Sequence, residues 1–130
     1  MVKRLEKHQQ RVEQLDRFGK DLARRSGRRC ELCGSAGVKL KIHEVPPIGQ
    51  EPDFDRCILI CETCQQQIDQ PKRMDSNHWH CLSQAAWSDI PAVQVMAVLL
   101  LRQLPNQDWA RELLEQLYLT PETEAWLAGG

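Results

Sequence analysis

Two Cys-x-x-Cys pairs constrain this chain more than any other feature. They are Cys30-Glu31-Leu32-Cys33-Gly34 and Cys61-Glu62-Thr63-Cys64-Gln65, with 27 residues between them. Each pair delivers two sulfurs from one tight turn, and Gly34 lets the first turn's backbone approach them. Together they bring four thiolates to the corners of a tetrahedron, which suits Zn2+, a closed-shell ion that tolerates the tetrahedron it is offered. One pair is a weak signal and two at metal spacing a strong one. The competing reading is four unrelated core thiols. A thioredoxin-like redox pair needs a βαβ pattern around a single knuckle, and neither knuckle has one.

The 130 residues suffice for one domain with a modest core, and the mixed charge fits a globular chain. Met1–Gln10 is charged and carries no apolar leader. The longest apolar run, Val95–Leu101, is far short of the ~20 residues that span a bilayer. The expectation is a cytoplasmic protein with no membrane association and reduced thiols, so six cysteines argue for metal before disulfides.

Net charge is −1, unevenly spread. Residues 1–29 hold ten Lys/Arg against four Asp/Glu, a local +6, and residues 30–130 hold seven against fourteen, a local −7. Such an asymmetry fits a basic arm for nucleic acid, and equally an arm lying on its own acidic body.

In chain order, Val2–Arg25 reads as a basic helix with Leu5, Val12, Leu15, Phe18 and Leu22 on one stripe, interrupted by Gly19 and ended by Ser26-Gly27. The stripe suits either a coiled-coil homodimer or docking onto the domain. Arg24, Arg25, Arg28 and Arg29 crowd the first knuckle. They read as phosphate contacts or as solvated charge offsetting a tetrathiolate centre. Val38–His43 alternates as a half-buried strand, Pro46-Pro47 closes it, and Arg56–Ile60 is a second strand. Glu62–Gln70 is helical up to Pro71, placing Cys64 in a first turn whose dipole favours a thiolate. Knuckle, hairpin, then knuckle opening a helix is a treble-clef order.

The C-terminal half reads as helices. Asp75 or Ser76 caps one that carries Trp79, Leu82, Ala86 and Trp87 on its inner face. Ser88-Asp89 caps the next, whose Val93–Leu104 is apolar almost all round and so central. Gln107–Leu119 carries Trp109, Leu113, Leu114 and Leu117 inward, and Thr120 starts a last helix with Trp126.

Two constellations compete with a purely structural zinc. The knuckle–hairpin–knuckle–helix order resembles the HNH nucleases, whose strand-end His serves as base and whose further His and Asn assist it. Here the base position falls on Glu44, or on His43 after a one-residue shift, Arg56 stands at the Asn position, and Gln65 follows the last cysteine. The scaffold resembles that family while its catalytic set is replaced. Separately, His78, His80 and Cys81, with Cys57, could form a second metal site, although 78 and 80 face apart on a helix.

From about Arg17 onward the chain resembles the bacterial PhnA-type zinc-ribbon proteins, often labelled alkylphosphonate utilization operon proteins. The resemblance rests on the two knuckles, Glu44-Val45-Pro46-Pro47, Asn77-His78-Trp79, Ile90-Pro91-Ala92-Val93-Gln94-Val95-Met96-Ala97 and Asp108-Trp109-Ala110. It implies a zinc site on Cys30, Cys33, Cys61 and Cys64, and it implies no phosphonate chemistry.

The expectation is therefore an α+β protein: a zinc treble clef over 28–70 packed against a helical bundle over 75–128, as one compact unit over 28–130, with a basic N-terminal helix over 1–27. One structural Zn2+ is expected on Cys30, Cys33, Cys61 and Cys64, with no catalytic residues. The expected role is a non-enzymatic binding or adaptor module, monomeric or homodimeric, for a protein or nucleic-acid partner. The alternatives are a nucleic-acid-binding protein through Arg24, Arg25, Arg28 and Arg29, a divergent HNH-like nuclease, and a dimerising structural protein.

Overall fold

The computed structural model describes the backbone of residues 2–129 and the side chains of residues 6–129. It is an α+β fold. A long helix, α1 (Val2–Ser26), precedes a two-stranded antiparallel hairpin of β1 (Leu40–Glu44) and β2 (Cys57–Cys61). Five helices follow: α2 (Glu62–Asp69), α3 (Leu82–Ala85), α4 (Pro91–Arg102), α5 (Asp108–Gln116) and α6 (Pro121–Leu127).

The hairpin is the middle layer. Its register pairs Leu40 with Cys61, Ile42 with Leu59 and Glu44 with Cys57. Side chains alternate across a strand, so Leu40, Ile42, Cys57 and Leu59 face one side and Ile58 and Ile60 the other. On the first side Leu22, Phe18 and Leu15 of α1 close a small core over Cys57 and Leu59. On the second, Ile58 and Ile60 join the larger core with Trp79, Leu82, Val95 and Leu100. Every residue of β2 is buried because both faces are covered.

The N-terminal helix thus docks onto the hairpin. Leu15 and Leu22 of its stripe are engaged there, Val12 is exposed, and Leu5 lies outside the described side chains. Arg11 anchors the outer half: Nε and Nη2 donate to the two Glu44 carboxylate oxygens at 2.9 and 2.6 Å. Part of the helix's excess positive charge is therefore neutralised within the chain.

In the C-terminal half α4 is central and packs against α3, α5 and α6. Seven successive residues, Ala92–Val98, are buried, as the all-round apolar pattern requires. The buried Gln94 donates from Nε2 to the Ala86 carbonyl at 2.8 Å, which satisfies its amide and joins α4 to the end of α3. Trp126 Nε1 donates to the Pro46 carbonyl at 2.8 Å, and the Arg56 guanidinium lies 4.6 Å above the Trp126 ring. These contacts fasten α6 to the hairpin loop.

Several local expectations are corrected. The first strand starts at Leu40, leaving Val38 exposed. Neither Asp75 nor Ser76 caps a helix: the Asp75 carboxylate accepts from the Asn77 amide in a turn, and a 3-10 segment at His78–Cys81 leads into α3. The cap of α4 is Ile90, with Ser88 Oγ accepting from the Ile90 amide one step outside the helix. Helix α5 ends at Gln116, three residues early, because Leu117 turns extended. Its Trp109, Leu114 and Leu117 are half-buried, and Trp87 is 49% exposed.

Candidate metal centre

The first knuckle hangs from the end of α1. Gly27 and Arg28 take positive φ, and the Arg28 amide donates back to the Ala23 carbonyl at 2.9 Å, closing the helix. The chain then turns tightly over Cys30–Cys33: the Gly34 amide donates to the Cys30 carbonyl at 2.9 Å, and Gly34 adopts φ 78°. That conformation is strained for any residue with a Cβ. The Cys33 amide points at Cys30 Sγ, 3.4 Å away.

The second knuckle repeats this with a helix attached. Cys61 is at once the last residue of β2 and the N-cap of α2, its Sγ accepting from the Cys64 amide at 3.5 Å. Helix-terminal amides stabilise negative charge on sulfur, the same physics that serves anions at helix N-termini.

The four sulfurs converge. Cys30 Sγ lies 3.7 Å from Cys64 Sγ, Cys33 Sγ lies 3.6 Å from Cys61 Sγ, and all four are within 4.8 Å of one another. A Zn–S bond of about 2.3 Å gives a tetrahedral edge of about 3.8 Å. The observed separations match that edge and are far too long for S–S bonds of about 2.05 Å. Cys30, Cys61 and Cys64 are buried and Cys33 is half-buried. Among the described residues this is the one group of three or more His, Cys, Asp or Glu side chains placed to hold a metal.

The electrostatics ask for a cation. Cys30 and Cys64 share a hydrogen bond between their sulfurs, which draws Cys30 below the ordinary thiol range. The same bond, with burial, pushes Cys64 up. Four negative sulfurs in so small and dry a volume repel one another, and a divalent ion at their centre offsets this. The donor set, all sulfur and tetrahedral, fits one metal ion of the zinc type.

Two groups support the cluster from outside it. Glu31, within the first knuckle, accepts from Arg25 Nε at 3.0 Å and Nη2 at 2.8 Å, and from the Leu59 amide at 2.9 Å. Its own amide donates to the Leu59 carbonyl at 2.8 Å. His78 places Nε2 at 3.2 Å from Cys64 Sγ. When the sulfur is a thiolate, the proton on that contact belongs to the imidazole, so Nε2–H donates to sulfur.

The other sequence candidates separate. His80 stacks on Trp109 with ring centroids 4.2 Å apart. Cys57 lies on the α1 side of the hairpin, its thiol donating to the Asp53 carbonyl at 3.3 Å. Among the described residues, His78, His80, Cys81 and Cys57 do not form a second group placed to hold a metal. His43 lies beside Gln65, and burial pushes its imidazole down from the ordinary value. Of the four arginines before the knuckle, Arg25 is held by Glu31 and also donates to the Cys57 carbonyl at 2.9 Å. Arg24 sits 3.8 Å from Asp21, and Arg28 and Arg29 are exposed. No described helix is long and apolar enough to cross a membrane.

Sequence reasoning missed the Glu31–Arg25 pair and the His78 contact. The spacing of Arg25 and Glu31 offered a hint for the first. The sequence assigned His78 to a separate second site, and its contact with Cys64 comes from a residue fourteen positions further along the chain. Comparison with protein-family models, with curated proteins and with solved structures finds no match in any of the three.

Proposed function

We propose that Cys30, Cys33, Cys61 and Cys64 bind one structural Zn2+ in a treble-clef arrangement, and that the protein is a non-enzymatic binding module built on it. The observation that carries this is the convergence of four cysteine sulfurs at a tetrahedral edge, three of them buried. A tetrathiolate leaves no coordination position for water, so the ion would organise the fold without polarising a substrate. The residues that resemble PhnA-type proteins include these four ligands, which agrees with this reading.

The absence of catalysis is part of the proposal. Both Glu44 oxygens are engaged by Arg11, and Gln65 stands beside His43 where an HNH enzyme would carry a further metal-binding His. A carboxylate so held is a poor base. A metal-supplemented nucleic-acid cleavage assay on wild type, His43→Ala and Glu44→Ala should show no activity that either substitution removes.

The zinc reading is tested by metal content and by chelation. Protein purified under reducing conditions should carry one zinc per chain, and Co2+ exchange should give the spectrum of a tetrahedral tetrathiolate. A strong chelator should unfold the zinc-bearing half and loosen the rest, since the ion supplies folding free energy on the order of 10 kcal/mol. Chelated protein with its full helical signal, or a Co2+ spectrum requiring an oxygen ligand, would overturn the proposal.

A further inference from the structure

The two edges of the hairpin differ. The Val45 amide donates to the Arg56 carbonyl at 2.8 Å, next to the Glu44–Cys57 pair. Hydrogen-bonded and non-bonded pairs alternate in an antiparallel ladder, so Lys41 and His43 bond to β2 while the N–H and C=O of Leu40 and Ile42 point away from it. The outward amide and carbonyl of Leu59 on β2 are taken by Glu31. Among the described residues no group covers the outward amides and carbonyls of Leu40 and Ile42 in this way.

Alongside this open edge runs a groove of about 1060 Å³ between β1 and α1. Its floor is aliphatic: Val12, Leu15, Val38, Leu40 and Ile42. Val12 and Val38 are 42% and 49% exposed. Gly19 lines the groove, and a Cβ there would meet Ile42 Cδ1 only at 3.8 Å, so the missing side chain leaves usable space. Lys20, Arg24 and Arg28 give the rim its positive charge, with Asp16 the one carboxylate in the lining.

We propose that this groove binds an extended peptide segment of a partner protein, acidic with alternating apolar residues, which adds as a third strand to β1. The edge supplies donors and acceptors at Leu40 and Ile42, the period of two that a strand complements. Apolar side chains at every second position enter the groove between β1 and α1, where Lys20, Arg24 and Arg28 supply a positive potential, and the intervening acidic ones project from the opposite face, on the side of Lys41. A second copy pairing through the same edge would bring Lys39 and Lys41 against their own counterparts, as edge lysines do to prevent self-pairing. Nucleic acid is the poorer occupant, because the floor is aliphatic with no aromatic ring for base stacking and phosphates cannot donate to the edge carbonyls.

This deepens the reading of the protein as a binding module and rests on it. The test uses the full zinc-loaded chain and a fluorescein-labelled peptide of alternating glutamate and valine. Fluorescence anisotropy should give saturable binding that weakens with salt and exceeds that of a lysine–valine control by about tenfold or more. Gly19→Leu, which fills the groove, should cost about tenfold or more, as should Lys20→Glu combined with Arg28→Glu and N-methylation of the peptide's edge-facing amides. Amide shifts should centre on Leu40 and Ile42. Equal affinity for the lysine–valine control, undiminished binding by Gly19→Leu and the charge-reversed variant, saturation by single-stranded DNA instead, or concentration-dependent self-association through β1 would each overturn the proposal. Zinc content and far-ultraviolet circular dichroism on every sample distinguish failure of the groove from failure of the metal-organised fold.

Discussion

Arg25, in the last turn of α1, and Glu31, between the two cysteines of the first knuckle, form a bidentate pair: Nε and Nη2 donate to separate carboxylate oxygens at 3.0 and 2.8 Å. The Glu31 side chain is 3% exposed. Its Oε1 also accepts from the Leu59 amide, and Arg25 Nη2 reaches the Cys57 carbonyl. One ion pair thus joins helix, knuckle and hairpin.

Removing one partner strands a charge in a dry site. Glu31→Gln or Arg25→Met should each cost about 3 kcal/mol, against the larger loss expected when a fully enclosed pair is broken. The double variant should lose less than the sum, with a coupling of about 1 kcal/mol or more by urea denaturation. Additive losses would mean the two groups act independently.

His78 lies outside the ligand set yet its ring contacts Cys64 Sγ. An N–H donated to a metal-bound sulfur relieves negative charge and fixes the ligand's orientation. His78→Ala should weaken zinc affinity roughly 10- to 100-fold in competition with a chromophoric chelator, while the Co2+ spectrum keeps its tetrathiolate character. Unchanged affinity would reduce His78 to a packing neighbour.

Leu22 is fully buried against Cys57 and Leu59. Leu22→Ala should destabilise the protein by about 2–5 kcal/mol in chemical denaturation, the usual cost of a core truncation. Deleting residues 1–25 would uncover the whole α1 face of the hairpin, so it should lower stability well beyond what loss of a solvated arm would cause. A truncated chain with unaltered stability would show that α1 contributes little to the core.

Burial pushes the Cys57 thiol up to about 11 from an ordinary 9.0. Between those values the unfolded chain has released this proton and the folded chain retains it. The unfolded state then binds fewer protons, so stability falls as pH rises from 9 towards 11 and this contribution levels off above. Cys57→Ala should show a shallower alkaline decline in unfolding free energy from urea titrations, by at most about 2.7 kcal/mol across that window. Parallel curves for the two proteins would exclude Cys57 as a source.

The cluster was legible because cysteine spacing encodes a local turn, and Cys30–Cys33 and Cys61–Cys64 each build their half without tertiary help. The central helix was equally plain, since its residues are apolar on every side. Cap positions were not: Ser88 and Ile90 differ by two residues, and Ser88 binds the Ile90 amide without entering the helix. The direction of the α1 stripe was also beyond periodicity, which offered Leu15 and Leu22 equally to a second helix or to the hairpin. Long-range partners such as Arg11 with Glu44 depend on how that helix lies, so they became visible only in three dimensions.

The hairpin's burial on both faces has a kinetic corollary. Successive amides of β2 point to opposite sides, Ile58 and Ile60 into the ladder with β1 and Leu59 onto the Glu31 carboxylate. Exchange at Ile58 and Ile60 needs the strands to part, and at Leu59 the Glu31 carboxylate to leave. These protons should therefore exchange far more slowly than the uncovered backbone amides of Leu40 and Ile42 a few ångströms away.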